Sequence, residues 1–310
     1  MRIFILIAFL IPGVALSQEQ TALDGMLDNM PDVKNFIQSV GIGLATITNE
    51  TELRTKNDKT VLLFEPNIPT NTALSAQTKY IDLAFAFAGG RLRNEKEERS
   101  KYRDFRINFS KGSFDARLNY QFYKGAMVKA GGKEEFYSEY EVRSVNARAN
   151  YYFNPVHLAY IREGYQLIDK VAGNKGFSTS GSWFVGFNID QRSITLPEVL
   201  EPEHEAEVAA KDLDYIVHMQ AVTFGPLVGG DGAMYFNRSF IRGKMGVGPA
   251  FFAAGDSAIQ YEFAFNFGYV FGESHLVSFN ADTYTLGLSS GNARLNNSNS
   301  QFGFFYTYKI

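Results

Sequence analysis

Long stretches of this chain alternate apolar and polar residues with a period of two. From Ser113 to Tyr123, Phe114, Ala116, Leu118, Tyr120 and Phe122 share one face. Ser113, Asp115, Arg117, Asn119 and Gln121 share the other. Between Ile259 and Tyr269 the apolar face is Ile259, Tyr261, Phe263, Phe265, Phe267 and Tyr269, opposite Gln260, Glu262, Ala264, Asn266 and Gly268. Val145, Ala147, Ala149, Tyr151 and Phe153 repeat the pattern, as do Phe302, Phe304, Tyr306, Tyr308 and Ile310. A β-strand turns successive side chains to opposite sides, so this pattern makes strands with one apolar and one polar face.

A soluble sandwich would also alternate, with the apolar faces packed sheet on sheet. Three features point instead to a membrane barrel. The alternating runs are about 10 to 15 residues long, whereas soluble strands average ~5–6 residues and membrane strands need ~9–11. The apolar faces are rich in Phe and Tyr, which accounts for an aromatic content of 15%, and lipid-facing barrel surfaces carry aromatic girdles. Charges fall in mid-strand on the polar faces, at Arg106, Arg117, Arg148, Lys244, Glu262 and Asp282, as a barrel lumen allows. The expected fold is a single antiparallel transmembrane β-barrel. No run of apolar residues is long enough for a spanning helix.

The formal net charge of −3 rules out a nucleic-acid-binding polycation. The absence of cysteine rules out disulfides, a thiolate metal site and a lipoprotein anchor. Residues 1–17 read as a secretory signal peptide: Arg2, an apolar run from Ile3 to Ile11, then Ala15 and Ser17 as small residues before Gln18. Residues 18–38 place Leu23, Met26, Leu27, Met30, Val33, Phe36 and Ile37 at roughly helical spacing. They are expected to form a periplasmic segment, either a helix, an inward plug or a weakly ordered tether. The barrel follows over 39–310.

Turn signals divide it into about fourteen strands, with twelve as the alternative. The boundaries are 39–48, 60–66, 72–88, 101–110, 113–123, 142–153, 156–165, 178–190, 192–199, 219–236, 240–253, 258–270, 275–288 and 300–310. The segment 72–88 can also be read as a hairpin turning at Thr78-Lys79. Short turns alternate with long charged segments, notably 124–141 and 200–218. Barrels of the bacterial outer membrane keep short turns in the periplasm, so both termini are expected there. The aromatic alternation of the last strand resembles the signal read by the barrel-insertion machinery, although it ends in Ile310 rather than Phe. The expected location is the outer membrane of a Gram-negative bacterium, with lipid as partner and no nucleic acid.

Catalytic motifs are sparse. His157 and His275 are each expected to begin a strand after a periplasmic turn, and His204 lies in an acidic loop. His218, near Asp212 and Asp214, is the one candidate for hydrolysis at the outer rim, but no Gly-x-Ser-x-Gly accompanies it. Glu201, Glu203, His204, Glu205 and Glu207 lack the spacing of a calcium loop. No catalytic residue, metal site or cofactor is assigned. The constellation that stands out is polar and inward: Asp104, Arg106, Asp115, Arg117, Asn119, Arg148, Arg242, Lys244, Glu262 and Asp282. These residues either stiffen the interior as salt bridges or line a cavity or channel for a small solute.

Short turn-related motifs extend the picture. They are Phe64-Glu65-Pro66-Asn67, Tyr123-Lys124-Gly125, Tyr151-Tyr152-Phe153-Asn154 and Ser178-Thr179-Ser180-Gly181-Ser182. With them the chain, from about Val40 to Ile310, resembles the exported outer-membrane β-barrel family catalogued as domain of unknown function 4421. The resemblance implies an outer-membrane barrel and brings no catalytic residues. The expected function is a channel or binding barrel for a small solute. The alternatives are a structural barrel binding partners through its long outer loops and, more remotely, a rim hydrolase.

Overall fold

Each alternating run becomes a strand, and each strand pairs antiparallel with its neighbours until the sheet closes on itself. The computed structural model describes residues 37–55, 61–65, 71–88, 100–130, 133–163, 176–195, 218–252, 257–272, 274–290 and 293–310. The segments expected to be a signal peptide and an N-terminal plug lie outside these residues, apart from Ile37 and Gln38.

The strands are β1 (Ile37–Thr55), β2 (Val61–Glu65), β3 (Asn71–Thr78), β4 (Ile81–Ala88), β5 (Lys101–Lys111), β6 (Phe114–Ala130) and β7 (Lys133–Tyr152). After helix α1 (Pro155–Glu163) come β8 (Phe177–Thr195), β9 (His218–Phe236), β10 (Ser239–Phe252), β11 (Ser257–Phe271), β12 (His275–Ser290) and β13 (Ala293–Lys309). The ring runs β1–β3–β4–β5–β6 and on in order to β13, which pairs back onto β1, giving 12 strands with β2 as an extra. The closing ladder is unbroken from Ser39↔Lys309 to Thr55↔Ala293.

Twelve strands replace the expected fourteen for local reasons. The segment 72–88 is the hairpin β3–β4, turning at Lys79-Tyr80, where Thr78 Oγ1 accepts from the Ile81 amide at 2.9 Å. The segments 178–190 and 192–199 are not two strands. The Asp190-Gln191 pair, expected to turn, lies inside β8, with Asp190 inward and Gln191 outward. The expected strand 156–165 is helix α1, so His157 is helical. The charged segment 124–141 is not a loop either, because β6 and β7 run on through it as a hairpin. Of the other expected long loop, 200–218, only His218 is described.

Of the segment Asn67 to Asn71, expected to reverse the chain, only Asn71 is among the described residues, but the strands on either side of it keep one direction. Both β2 and β3 run antiparallel to β1, so they are two pieces of one direction. β2 meets β1 from Arg54↔Val61 to Thr51↔Phe64, and β3 meets it from Ala45↔Asn71 to Ile37↔Thr78. Beyond the end of β3, β2 pairs with β6 through Leu63↔Lys129 to Glu65↔Met127. The ring there bypasses β4 and β5, and barrel width follows strand number. The barrel is therefore narrower at its loop end than at the end carrying the termini.

The outward face is an apolar belt. Leu44, Phe114, Tyr151, Trp183, Phe187, Met245, Phe263, Phe267 and Phe304 all stand exposed. So large a contiguous apolar surface has no place in water and fits a lipid environment.

Candidate functional site in the barrel lumen

The lumen is built in three layers from inward-facing positions. At the loop end, Phe64, Tyr102, Tyr123, Val128, Tyr140, Val142 and Ile194 form one buried cluster. Ala45, Ala73, Ala86 and Ala250 join it from other strands. Phe64 stacks on Tyr140 at 4.9 Å between ring centroids, and the Tyr123 and Tyr140 hydroxyls lie 3.2 Å apart. The β6–β7 ladder is irregular between Lys124↔Glu141 and Ala126↔Tyr137, where Gly125 has φ 87°. Past it the inward positions of β6 change from odd to even numbers, from Tyr123 to Ala126 and Val128, all in the cluster.

The middle layer holds charge. Glu262 on β11 bonds both Arg148 on β7 and Lys244 on β10, the latter at 3.0 Å. Asp282 on β12 accepts from Arg117 at 3.0 Å and lies 3.6 Å from Arg106. Arg106 also holds Asp104 at 2.7 Å, and Arg117 donates to Asn108 at 3.0 Å. Asp115 accepts from Ser110 at 2.6 Å. Lys244 sits 4.7 Å over the Phe184 ring, a cation–π contact. In a lumen shielded from bulk water, charges are tolerated in such opposed arrangements.

Of the ten candidate residues, Asp104, Arg106, Arg117, Arg242, Lys244 and Asp282 line one cavity, Asn119 and Arg148 line a smaller one with Arg106, Arg117 and Asp282, and Asp115 and Glu262 are held by Ser110 and by Arg148 and Lys244. Asn119 faces inward beside Gln121 and Arg117, but no partner is resolved for its Oδ1. Sequence reasoning missed Asp190 and Arg192, which pair at 3.2 Å in the same layer. It also missed Asp231, which takes both Arg242 Nη2 (2.6 Å) and Nε (3.1 Å). Asp231 shares the inward parity of Leu227 and Tyr235, a signal hidden by the surrounding glycines.

The third layer, at the termini end, belongs to α1. Asn154 caps it, accepting from the Val156 amide at 3.1 Å, and Pro155 supplies a first residue that needs no amide partner. Leu158 and Ile161 pack against Tyr152, Phe184, Tyr235, Phe240 and Val270 on the lumen wall. His157 is fully buried between Ser180 Oγ (3.0 Å) and Asp231 Oδ1 (3.4 Å). The order is that of a Ser–His–Asp relay. However, Asp231 is already occupied by Arg242 and by the Tyr152 hydroxyl at 3.1 Å, and the imidazole has no open face. The arrangement anchors the helix.

Beside the helix, a cavity of about 330 Å³ runs from mid-barrel to the termini end. Its lining interleaves small or apolar residues (Ala73, Ser75, Ala84, Ala86, Ala264 and Phe305) with charged ones (Arg106, Arg117, Arg242, Lys244, Asp104 and Asp282), Ala84 standing beside Arg106 and Ala264 between Lys244 and Asp282. Ser274, His275 and Lys309 line its end. Among the described residues no group of three or more His, Asp or Glu is placed to hold a metal. His218 opens β9 opposite Thr195, and its candidate partners Asp212 and Asp214 lie outside the described residues.

The closed antiparallel sheet, apolar belt and charge-filled interior define a transmembrane β-barrel with the outer-membrane type of fold. More particularly, the chain belongs to the family described as domain of unknown function 4421, whose model matches residues 33–309. No curated protein matches the sequence. Among solved structures, the translocator domain of the autotransporter NalP from Neisseria meningitidis is similar at 10% identity and a TM-score of 0.43, over 94% of this chain and 96% of that one. The outer-membrane protease OmpT from Escherichia coli is similar at 11% identity and a TM-score of 0.30, over 88% and 97%. At such identities and scores no activity passes from them to this chain.

Proposed function

We propose that this protein is an outer-membrane barrel that binds a small polar solute from the periplasm and does not pass it through. The observation carrying this reading is the contrast between the two halves of the lumen. The termini half holds a 330 Å³ cavity, within the range of small-molecule sites, while the loop half is filled by the Phe64–Tyr140 cluster. The binding set is drawn from the inward residues Asp104, Arg106, Arg117, Arg242, Lys244 and Asp282. The termini face the periplasm, because four of the five connections at the end that carries them are two or three residues long, whereas 89–100 and 196–217 leave the other end. Residues 1–17 act as the export signal, and the aromatic last strand is the contact for the insertion machinery.

The chain has no cysteine, which makes a direct test available. In the folded barrel, Ser75→Cys on the cavity wall reacts with a small thiol reagent, whereas Ala126→Cys in the loop-half cluster stays silent. The purified barrel in a planar bilayer shows no steady ion conductance. A stable conductance, or equal labelling at both positions, overturns the reading.

A further inference from the structure

The charges around the cavity are not presented evenly. Arg106, Arg117, Arg242, Lys244 and Lys309 are its basic lining. The acidic lining is Asp82, Asp104 and Asp282. Of these, Asp82 is engaged by Arg162 of the helix and Asp104 by Arg106. Asp231, which orients Arg242, is not exposed at all and lies behind the guanidinium. Glu262 lies behind Lys244 in the same way, with its side chain 1% exposed. By contrast, the side chains of Arg117 and Arg242 remain 27% and 24% exposed toward the lumen. A guanidinium carries five N–H donors in a fixed fork. Asp231 fixes the fork of Arg242 and Asn108 that of Arg117, while both side chains stay partly exposed at the cavity.

One carboxylate does reach this space. Asp282 is 25% exposed and lies between Arg117 Nη1 (3.0 Å) and Arg106 Nη1 (3.6 Å). It occupies the position an incoming carboxylate would take, so the Arg106–Arg117 pair already displays its own mode of recognition. Between the charges are short side chains, Ala84 beside Arg106, Ala86 beside Asp104, and Ala264 between Lys244 and Asp282, and Phe305 and Leu276 also line the cavity. Those leave room for an apolar tail.

We infer that the cavity takes a small organic anion, a carboxylate or phosphate monoester with a compact apolar part, held by Arg117 and Arg242 and in competition with Asp282. The inference rests on the solute-binding reading above and names its substrate class. The source is a free solute entering at the termini end, because the sheet separates the cavity from lipid.

The test is titration calorimetry on the full-length folded barrel in a non-ionic detergent at low salt. The probes are benzoate, phenyl phosphate, and the size-matched cation benzylammonium. Benzoate or phenyl phosphate binds with one-to-one stoichiometry and benzylammonium does not. Arg117→Gln and Arg242→Gln each weaken anion binding at least tenfold, and Asp282→Asn strengthens it several-fold. The opposite signs separate ligand contact from a general loss of structure, and heat-modifiable mobility confirms that each variant is folded. The comparison of anion with cation on the unmodified barrel stands even where a variant fails to fold. Equal binding of cation and anion overturns the anion assignment and leaves the cavity reading intact. Binding by none of the three probes overturns both.

Discussion

Arg162 and Asp82 join the far end of the helix to the opposite side of the barrel. The guanidinium meets both carboxylate oxygens, Nη1 to Oδ2 at 3.2 Å and Nη2 to Oδ1 at 3.1 Å. It also donates to the Thr78 and Lys79 carbonyls. Arg162 belongs to the connection between β7 and β8, whereas Asp82 is the second residue of β4. The helix thus crosses the mouth, anchored at one end through His157 and at the other through this two-pronged pair, a geometry that arginine forms and lysine does not.

Releasing that pair is expected to loosen the helix without opening the sheet. In Arg162→Gln or Asp82→Asn, amide hydrogen exchange over 155–163 should quicken at least tenfold. The β-ladders, which depend on other contacts, should keep their protection. Unchanged exchange in the helix would mean that His157 and the Leu158–Ile161 packing hold it alone.

Glu262 is the hub of the charged layer, and its loss should be costly. Glu262→Gln leaves Arg148 and Lys244 side by side without a carboxylate. Removing one partner of a buried ion pair costs about 3–5 kcal/mol. Urea unfolding in detergent or lipid should show a loss of that size. Adding Lys244→Met to Glu262→Gln should recover part of it, because one of the stranded charges is gone.

Gly125 is required by its backbone and by its neighbour. Its φ of 87° is one that side chains rarely adopt, and an added Cβ would lie 2.6 Å from the Phe136 ring. Gly125→Ala should therefore destabilise the loop end by roughly 1–3 kcal/mol. Pairing it with Phe136→Ala should relieve the clash but not the backbone strain. A fully restored double variant would show that the conformation itself costs nothing.

Trp183 is the chain's single tryptophan and stands outward, 71% exposed. In reconstituted vesicles its fluorescence should be quenched by lipids brominated along the acyl chains and largely spared by aqueous acrylamide. The opposite pattern would remove β8 from the lipid-facing belt.

Much of the barrel is legible in the sequence because lipid and lumen impose opposite chemistries on alternate residues. That rule fails where the two environments converge. Lys129, Lys133 and Glu134 break the apolar–polar alternation and read as a loop, although the β6–β7 ladder continues through them. In α1, Val156, Leu158 and Tyr160 alternate like a strand, and nine residues are too few for periodicity to decide. The cap was the better signal: Asn154 followed by Pro155 is a helix start. At Asp190-Gln191 two adjacent polar residues look like a turn, yet Asp190 faces the lumen and pairs with Arg192. The parity of the inward charges was visible in advance. Which carboxylate lies behind which cation was not, because Glu262 meets Arg148 only through the closure of the ring.

The seam where the two ends of the sequence meet has a mechanical consequence. β1 and β13 are zipped along their full length without a slip, whereas β2 holds β6 through only the pairs from Leu63↔Lys129 to Glu65↔Met127. A barrel is commonly imagined to part where its chain begins and ends. This one resembles a hoop whose clasp is stronger than its band. Under stress it should part first between β2 and β6, two strands round the wall from the clasp, while the terminal strands stay joined.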